Sequence, residues 1–185
     1  MGCLHTKDNT KIDSPEKPYK KAIYIYMCGS TLETRNGAAT KNIAELMQCD
    51  IPDDVAVIIE TGGAAKWRNF DISNETIQRY RVVDHTLTLL ETTTDSFMGR
   101  SVTLEHFVTF CQDNYAADES VFVLWDHGGG SLDGICFDEN DNMDSLSLEE
   151  IRIALQKSSA HFSIFGLDAC LMASYDTMIA LSDYA

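Results

Sequence analysis

Four short apolar runs constrain this chain more than any other feature: AIYIYM at 22–27, VAVIIE at 55–60, VFVLW at 121–125 and FSIFGL at 162–167. Each is nearly continuous rather than alternating, as expected of strands covered on both faces. Helical periodicity fills the intervals. Ile43, Leu46 and Met47 share one face of a stretch running from Gly37 to Cys49. Leu104, Phe107, Val108 and Cys111 repeat at helical spacing behind Ser101, which is expected to be the N-cap, and Leu148, Ile151 and Leu155 follow Ser147. Ser147 with Glu150 three residues on has the form of a capping box. The last helix is expected to run from Leu171 to Ala185. Strands joined through helices imply a parallel sheet, because parallel neighbours need crossover connections. The expected fold class is therefore α/β, a three-layer sandwich with a mainly parallel central sheet. The segments around 79–83 and 87–90 are expected to form a short hairpin or an irregular extension of it.

Residues 1–20 are polar, contain Pro15 and Pro18, and read as a flexible leader, so folding is expected from about Lys21 as one unit. MGCLHT fits the pattern for N-myristoylation at Gly2, with Cys3 available for palmitoylation and Lys7, Lys11, Lys17, Lys20 and Lys21 following. Gly2-Cys3 equally fits the remnant of a bacterial lipoprotein cleavage site, or an unmodified tail. A membrane is a partner only through such lipidation, since no apolar run approaches the roughly 20 residues needed to span a bilayer; the localisation is otherwise open.

The charge balance, 29 Asp and Glu against 14 Lys and Arg with a net charge of -15, argues against nucleic acid as a partner and leaves room for a cationic ligand. The six cysteines lack C-x-x-C spacing, which argues against a zinc site or a disulfide scaffold.

In open α/β sheets functional groups collect beyond the carboxyl ends of the strands. After VFVLW come Asp126, His127, Gly128, Gly129 and Gly130; after FSIFGL come Asp168, Ala169 and Cys170. A thiol and an imidazole thus leave parallel strands at the same sheet edge. A nearby imidazolium and a helix N-terminus at Leu171 would both raise the thiolate fraction of Cys170. Gly128, lacking a side chain, could bring its N–H to a substrate carbonyl and form an oxyanion hole with the N–H of Cys170. Packing of Cys170 and simple hydrogen bonding of His127 stand as the alternative. His5, His85, His106 and His161 have no glycine run after them.

WDHGGG at 125–130 and LDACLMAS at 167–174 resemble the two signature segments of the clostripain family of caspase-fold cysteine peptidases, and YMCGSTLETRNGAAT at 26–40 resembles its opening strand and loop. The resemblance covers residues 21–185. It implies a caspase/haemoglobinase-like fold of clan CD, a dyad of His127 and Cys170, an oxyanion hole at Gly128 and Cys170, and hydrolysis of peptide bonds after Arg or Lys. Asp168, two residues before the nucleophile, would line the specificity pocket; the other reading makes it a cap for the following helix. The partner is then a peptide or protein with Arg or Lys at the cleavage site, and no cofactor is required.

Family domains continue past the nucleophile segment, so the domain at 21–185 is expected to be incomplete on its C-terminal side. The rival functions are a truncated, noncatalytic relative that binds basic peptides or a partner chain, and a small-molecule thiol hydrolase or transferase. Some relatives cut themselves between the His and Cys segments after a basic residue; here that interval holds only Arg152 and Lys157, on an expected helix, which argues against self-processing there. Some relatives also use calcium. Asp138, Asn140, Asn142, Asp144 and Glu149 match the ligand spacing of a twelve-residue calcium loop, but Met143 sits where its sharp turn wants glycine, and a solvated acidic loop is the competing reading.

Overall fold

In a computed structural model, the structure describes residues 19–94 and 97–185. Gly2, Cys3 and the first lysines therefore lie outside the described residues. The first strand, β1 (Tyr19–Cys28), begins three residues earlier than expected and occupies the middle of the sheet. Its side chains alternate in destination. Tyr24 and Tyr26 enter one apolar cluster, Ile25 and Met27 the other, so each face of the strand is covered. The tyrosine hydroxyls do not stay unpaired in the core: Tyr24 donates to the carbonyl of Tyr115 at 2.6 Å and Tyr26 to that of Met98 at 2.8 Å.

Beyond β1 come α1 (Ser30–Asn36), α2 (Ala38–Leu46) and β2 (Val55–Gly62). The expected helix from Gly37 to Cys49 is α2, shorter at both ends, and α1 was not foreseen at all. Gly37 separates the two, closing α1 in the left-handed region (φ 63°) while its N–H reaches the carbonyls of Leu32 and Glu33. Next are β3 (Ile77–Val83) and β4 (Thr86–Thr93), α3 (Ser101–Tyr115) and β5 (Ala117–Trp125). The cap of α3 is Arg100, in extended conformation and without a side-chain bond; Ser101 is the first helical residue, a correction to its expected role.

A short α4 (Gly130–Asp133) leads into β6 (Ile135–Asp138) and β7 (Asp144–Leu146), a small antiparallel pair joined through 139–143, the middle of the expected acidic loop. Then follow α5 (Leu148–Lys157), β8 (Ile164–Asp168) and α6 (Tyr175–Leu181). The capping box of Ser147 and Glu150 is present at the start of α5.

The main sheet has the order β4-β3-β2-β1-β5-β8, with β2, β1, β5 and β8 parallel and β3 and β4 antiparallel, so the 79–90 region is indeed a hairpin extending it. One face packs against α3, α5 and α6, and the other against α1 and α2. The result is the expected α/β three-layer sandwich. From β1 the chain steps to β2 on one side and later to β5 on the other, so the connections diverge between β1 and β5. A crevice opens at the carboxyl ends of strands where such a reversal occurs. Those ends are level, because Met27 pairs with Trp125 and Trp125 with Asp168.

Candidate active site

Three strand ends supply the site: Gly29–Thr31 after β1, Asp126 and His127 after β5, and Ala169 and Cys170 after β8. They surround an open cleft of about 640 Å³ whose lining includes His127, Asp168 and Cys170, so the sequence-derived candidates do come together. Gly128 touches the segment that carries Cys170 directly. A Cβ built on it would lie 2.1 Å from the carbonyl oxygen of Cys170 and 3.1 Å from the Cβ of Ala169. No side chain could stand there without driving the two segments apart. The turn that follows is closed by the N–H of Gly129, which donates to the carbonyl of Gly134 at 2.8 Å. That bond does not consume the N–H of Gly128.

His127 is half-buried, and its Nε2 lies 2.9 Å from the hydroxyl oxygen of Thr31. Its neighbour Asp126 is buried, with 3% of its surface exposed. One carboxylate oxygen of Asp126 accepts a short hydrogen bond from the Ser30 hydroxyl, and the other accepts the N–H of Phe137 at 2.6 Å. Burial pushes this carboxyl up to about 7, against the opposing pull of the Ser30 hydroxyl, the amides of His127 and Phe137, and the Cys28 thiol. Cys28 itself ends β1 inside the core, where burial holds its thiol well above the usual range. Cys111 and Cys136 are raised in the same way, which leaves them inert as nucleophiles.

Cys170, by contrast, is exposed to the cleft. The expected helix behind it does not begin at Leu171. That residue turns left-handed (φ 63°), and α6 starts only at Tyr175, where the Ser174 hydroxyl accepts the N–H of Thr177 at 3.2 Å. A helix dipole therefore does not point at the sulfur from the adjacent residue, and the cap of the helix is Ser174 rather than Asp168. Asp168 is exposed, and besides the main cleft it borders a second groove of about 350 Å³ walled by Ile25, Met27 and Trp125. The indole N–H of Trp125 is fixed by the side-chain oxygen of Asn42 at 3.0 Å.

The calcium candidates are dispersed. Asp138 is buried and accepts the N–H groups of Met98 at 2.6 Å and Asn140 at 2.7 Å, while Glu149 pairs with Arg152 on the surface of α5 at 2.8 Å. Asn140 donates to the carbonyl of Asn74, and Asp144 belongs to β7. The turn that wanted glycine is made by Asn142 (φ 55°) and Met143 (φ 62°). Among the described residues no group of three or more His, Cys, Asp or Glu side chains is placed to hold a metal ion.

The sequence model of the clostripain family, Peptidase C11, matches residues 25–185. The chain belongs to the clostripain family. A curated relative, clostripain of Hathewaya histolytica, is 31% identical over 90 residues, which are 42% of this chain and 17% of that protein. Two solved structures share the fold. One is a secreted C11 cysteine protease from Bacteroides thetaiotaomicron in complex with an irreversible peptide inhibitor, at a TM-score of 0.73 and 16% identity over 90% of this chain and 47% of that one. The other is an inactive zymogen C11 protease from Parabacteroides distasonis, at a TM-score of 0.69 and 23% identity over 91% of this chain and 47% of that one. The clostripain-family chain thus spans about half the length of these solved relatives. Among its described residues no helix is long and apolar enough to cross a membrane.

Sequence reasoning missed Ser30, Thr31 and Asn42 as parts of the site. Ser30 and Thr31 do follow a strand, the same signal that singled out His127 and Cys170. Their hydroxyls are common in loops, however, and a contact across 96 residues has no periodicity to betray it.

Proposed function

We propose that the chain is a cysteine endopeptidase that cleaves after Arg or Lys. Cys170 attacks the scissile carbonyl, His127 takes the thiol proton and returns it to the leaving amine, and water then hydrolyses the acyl-enzyme. The N–H groups of Gly128 and Cys170 receive the developing oxyanion, and Asp168 pairs with the cationic side chain. This chemistry needs no cofactor. The observation that carries the reading is the abutment of the two signature segments at Gly128, which puts an exposed thiol, an imidazole and a carboxylate on one cleft. Family membership and the peptide inhibitor bound by the B. thetaiotaomicron protease support a peptide substrate.

For the basic preference, support comes from the position of Asp168 between the cleft and the groove. The methylene stem of Arg or Lys suits the apolar walls at Met27 and Trp125, with the charged head at the carboxylate. The test is turnover of paired fluorogenic peptides with Arg, Lys or Asp at the scissile bond, by this chain and its Cys170→Ala variant, with and without calcium. Cleavage of the Arg and Lys peptides alone, abolished in the variant, is expected. Folded, reduced protein that turns over none of them would replace this reading by a noncatalytic relative.

A further inference from the structure

The first two residues of α1 grip two adjacent residues after β5. Ser30 donates to Asp126, and Thr31 meets His127 Nε2 at 2.9 Å. The first contact explains how the second is held. Ser30 and Asp126 are both buried, Asp126 is tied on its other side to the N–H of Phe137, and Ser30 takes a left-handed conformation (φ 42°) uncommon for a residue with a side chain. The start of α1 is thereby pinned against the end of β5, and Thr31 has little freedom to leave the imidazole.

A ring nitrogen that is held by a hydroxyl is not free to exchange protons with a reactant. The hydroxyl could donate to Nε2 or accept from it, and the reaction chooses between these. When His127 takes up the thiol proton both ring nitrogens carry hydrogen, so a donating hydroxyl would have to turn away, whereas an accepting one keeps its bond in both states.

We propose that Thr31 is a positioning residue that accepts the Nε2–H of His127, fixes the imidazole in that tautomer and leaves Nδ1 as the nitrogen that exchanges protons in the cleft. This rests on the peptidase reading of Cys170 and His127. As Cys170 is activated its S–H bond breaks and an Nδ1–H bond forms; the same proton passes to the amine nitrogen as the scissile C–N bond breaks. Thr31 itself gains and loses nothing. Its contribution is orientation, so its loss should slow turnover without weakening substrate binding.

The experiment uses chain labelled with [15N]histidine, in wild-type form and as Thr31→Val and Thr31→Ser, with His127→Gln to assign the resonance. At alkaline pH, where the ring is neutral, long-range proton–nitrogen spectra of wild type and Thr31→Ser should show protonated Nε2 and bare Nδ1, and Thr31→Val should lose that bias. With an Arg or Lys peptide, Thr31→Val should lower kcat roughly three- to tenfold, the worth of one neutral hydrogen bond, with KM nearly unchanged and Thr31→Ser close to wild type. Thermal melts check folding, and Thr31→Ala replaces the valine variant should that one fail to fold. Protonated Nδ1 in the wild type, or a hydroxyl-free variant with wild-type tautomer and kcat, overturns the proposal. The spectra need no turnover, so an inactive chain would sink the peptidase reading and still decide the role of Thr31.

Discussion

His127 leaves a strand with neighbours on both sides, whereas Cys170 leaves β8, the last strand in the sheet order. Around the histidine, Ser30, Thr31, Asp126 and Phe137 are joined by hydrogen bonds, and the strand beneath is packed through Phe122 and Leu124, both fully buried. Around the cysteine the chain is open: Ile164 is 57% exposed, Leu171 75%, Tyr175 78% and Met178 67%. The imidazole is therefore set by the core, and the thiol by one edge strand and its contact with Gly128. In the proposed reaction the histidine benefits from rigid surroundings, while the thiol must be reachable by substrate.

Gly128 is the joint between the two halves, and Gly128→Ala is the largest perturbation of this contrast. A methyl group 2.1 Å from the Cys170 carbonyl oxygen must push the cysteine segment outward. Peptide turnover by that variant should fall by roughly 100-fold or more, as when an oxyanion donor is displaced, while melting should show only the modest loss of a strained loop. Equal collapse of stability and activity would mean that the cysteine side is as firmly built as the histidine side.

A second substitution tests the histidine half alone. Asp126→Asn keeps an acceptor for the N–H of Phe137 and can donate to the Ser30 hydroxyl, as the protonated carboxyl does, so denaturant titration at about pH 5 should register a loss of no more than about 1 kcal/mol. Burial raises this carboxyl from an ordinary 3.8 to about 7, so the folded state holds a proton that the unfolded chain releases earlier. Its contribution is full below about pH 4 and is lost as pH rises to about 7, so the melting temperature should decline across that window. In Asp126→Asn the decline should shrink but persist, because burial also pushes Glu60 up to about 7 against the pull of Arg79. An unchanged pH slope would show that Asp126 is not the buried acid described here.

The smallest effect belongs to the open side. Replacing Met178 and Ile179, 67% and 57% exposed on α6, by glutamine should move stability by no more than about 0.5 kcal/mol per site. A larger loss by thermal melting would mean that this face is packed, and the contrast between the two halves would weaken.

Much of this was legible beforehand because the relevant signals are local. The apolar runs marked β1, β2, β5 and β8, and helical spacing marked α3 and α5; the glycine at 128 signalled room for a substrate carbonyl, and its packing against the carbonyl of Cys170 was not foreseen. Local signals misled where one residue's conformation decided the outcome. Apolar periodicity suggested a helix from Leu171, yet a left-handed turn at that residue delays α6 to Tyr175. In the acidic segment, 139–143 is the expected loop, but its composition did not show that the flanking residues pair as a hairpin, with the turn made by Asn142 and Met143.

By itself, the sequence determined that parallel strands would present a thiol and an imidazole at one edge, since apolar runs set the strands and the residues after them must lie at their ends. Only the tertiary structure decided that β1 and β5 would be neighbours and that the start of α1 would clasp Asp126 and His127. The physical reason is that strand order depends on how the whole sheet buries its two faces. No short stretch of the chain encodes which strand ends will meet.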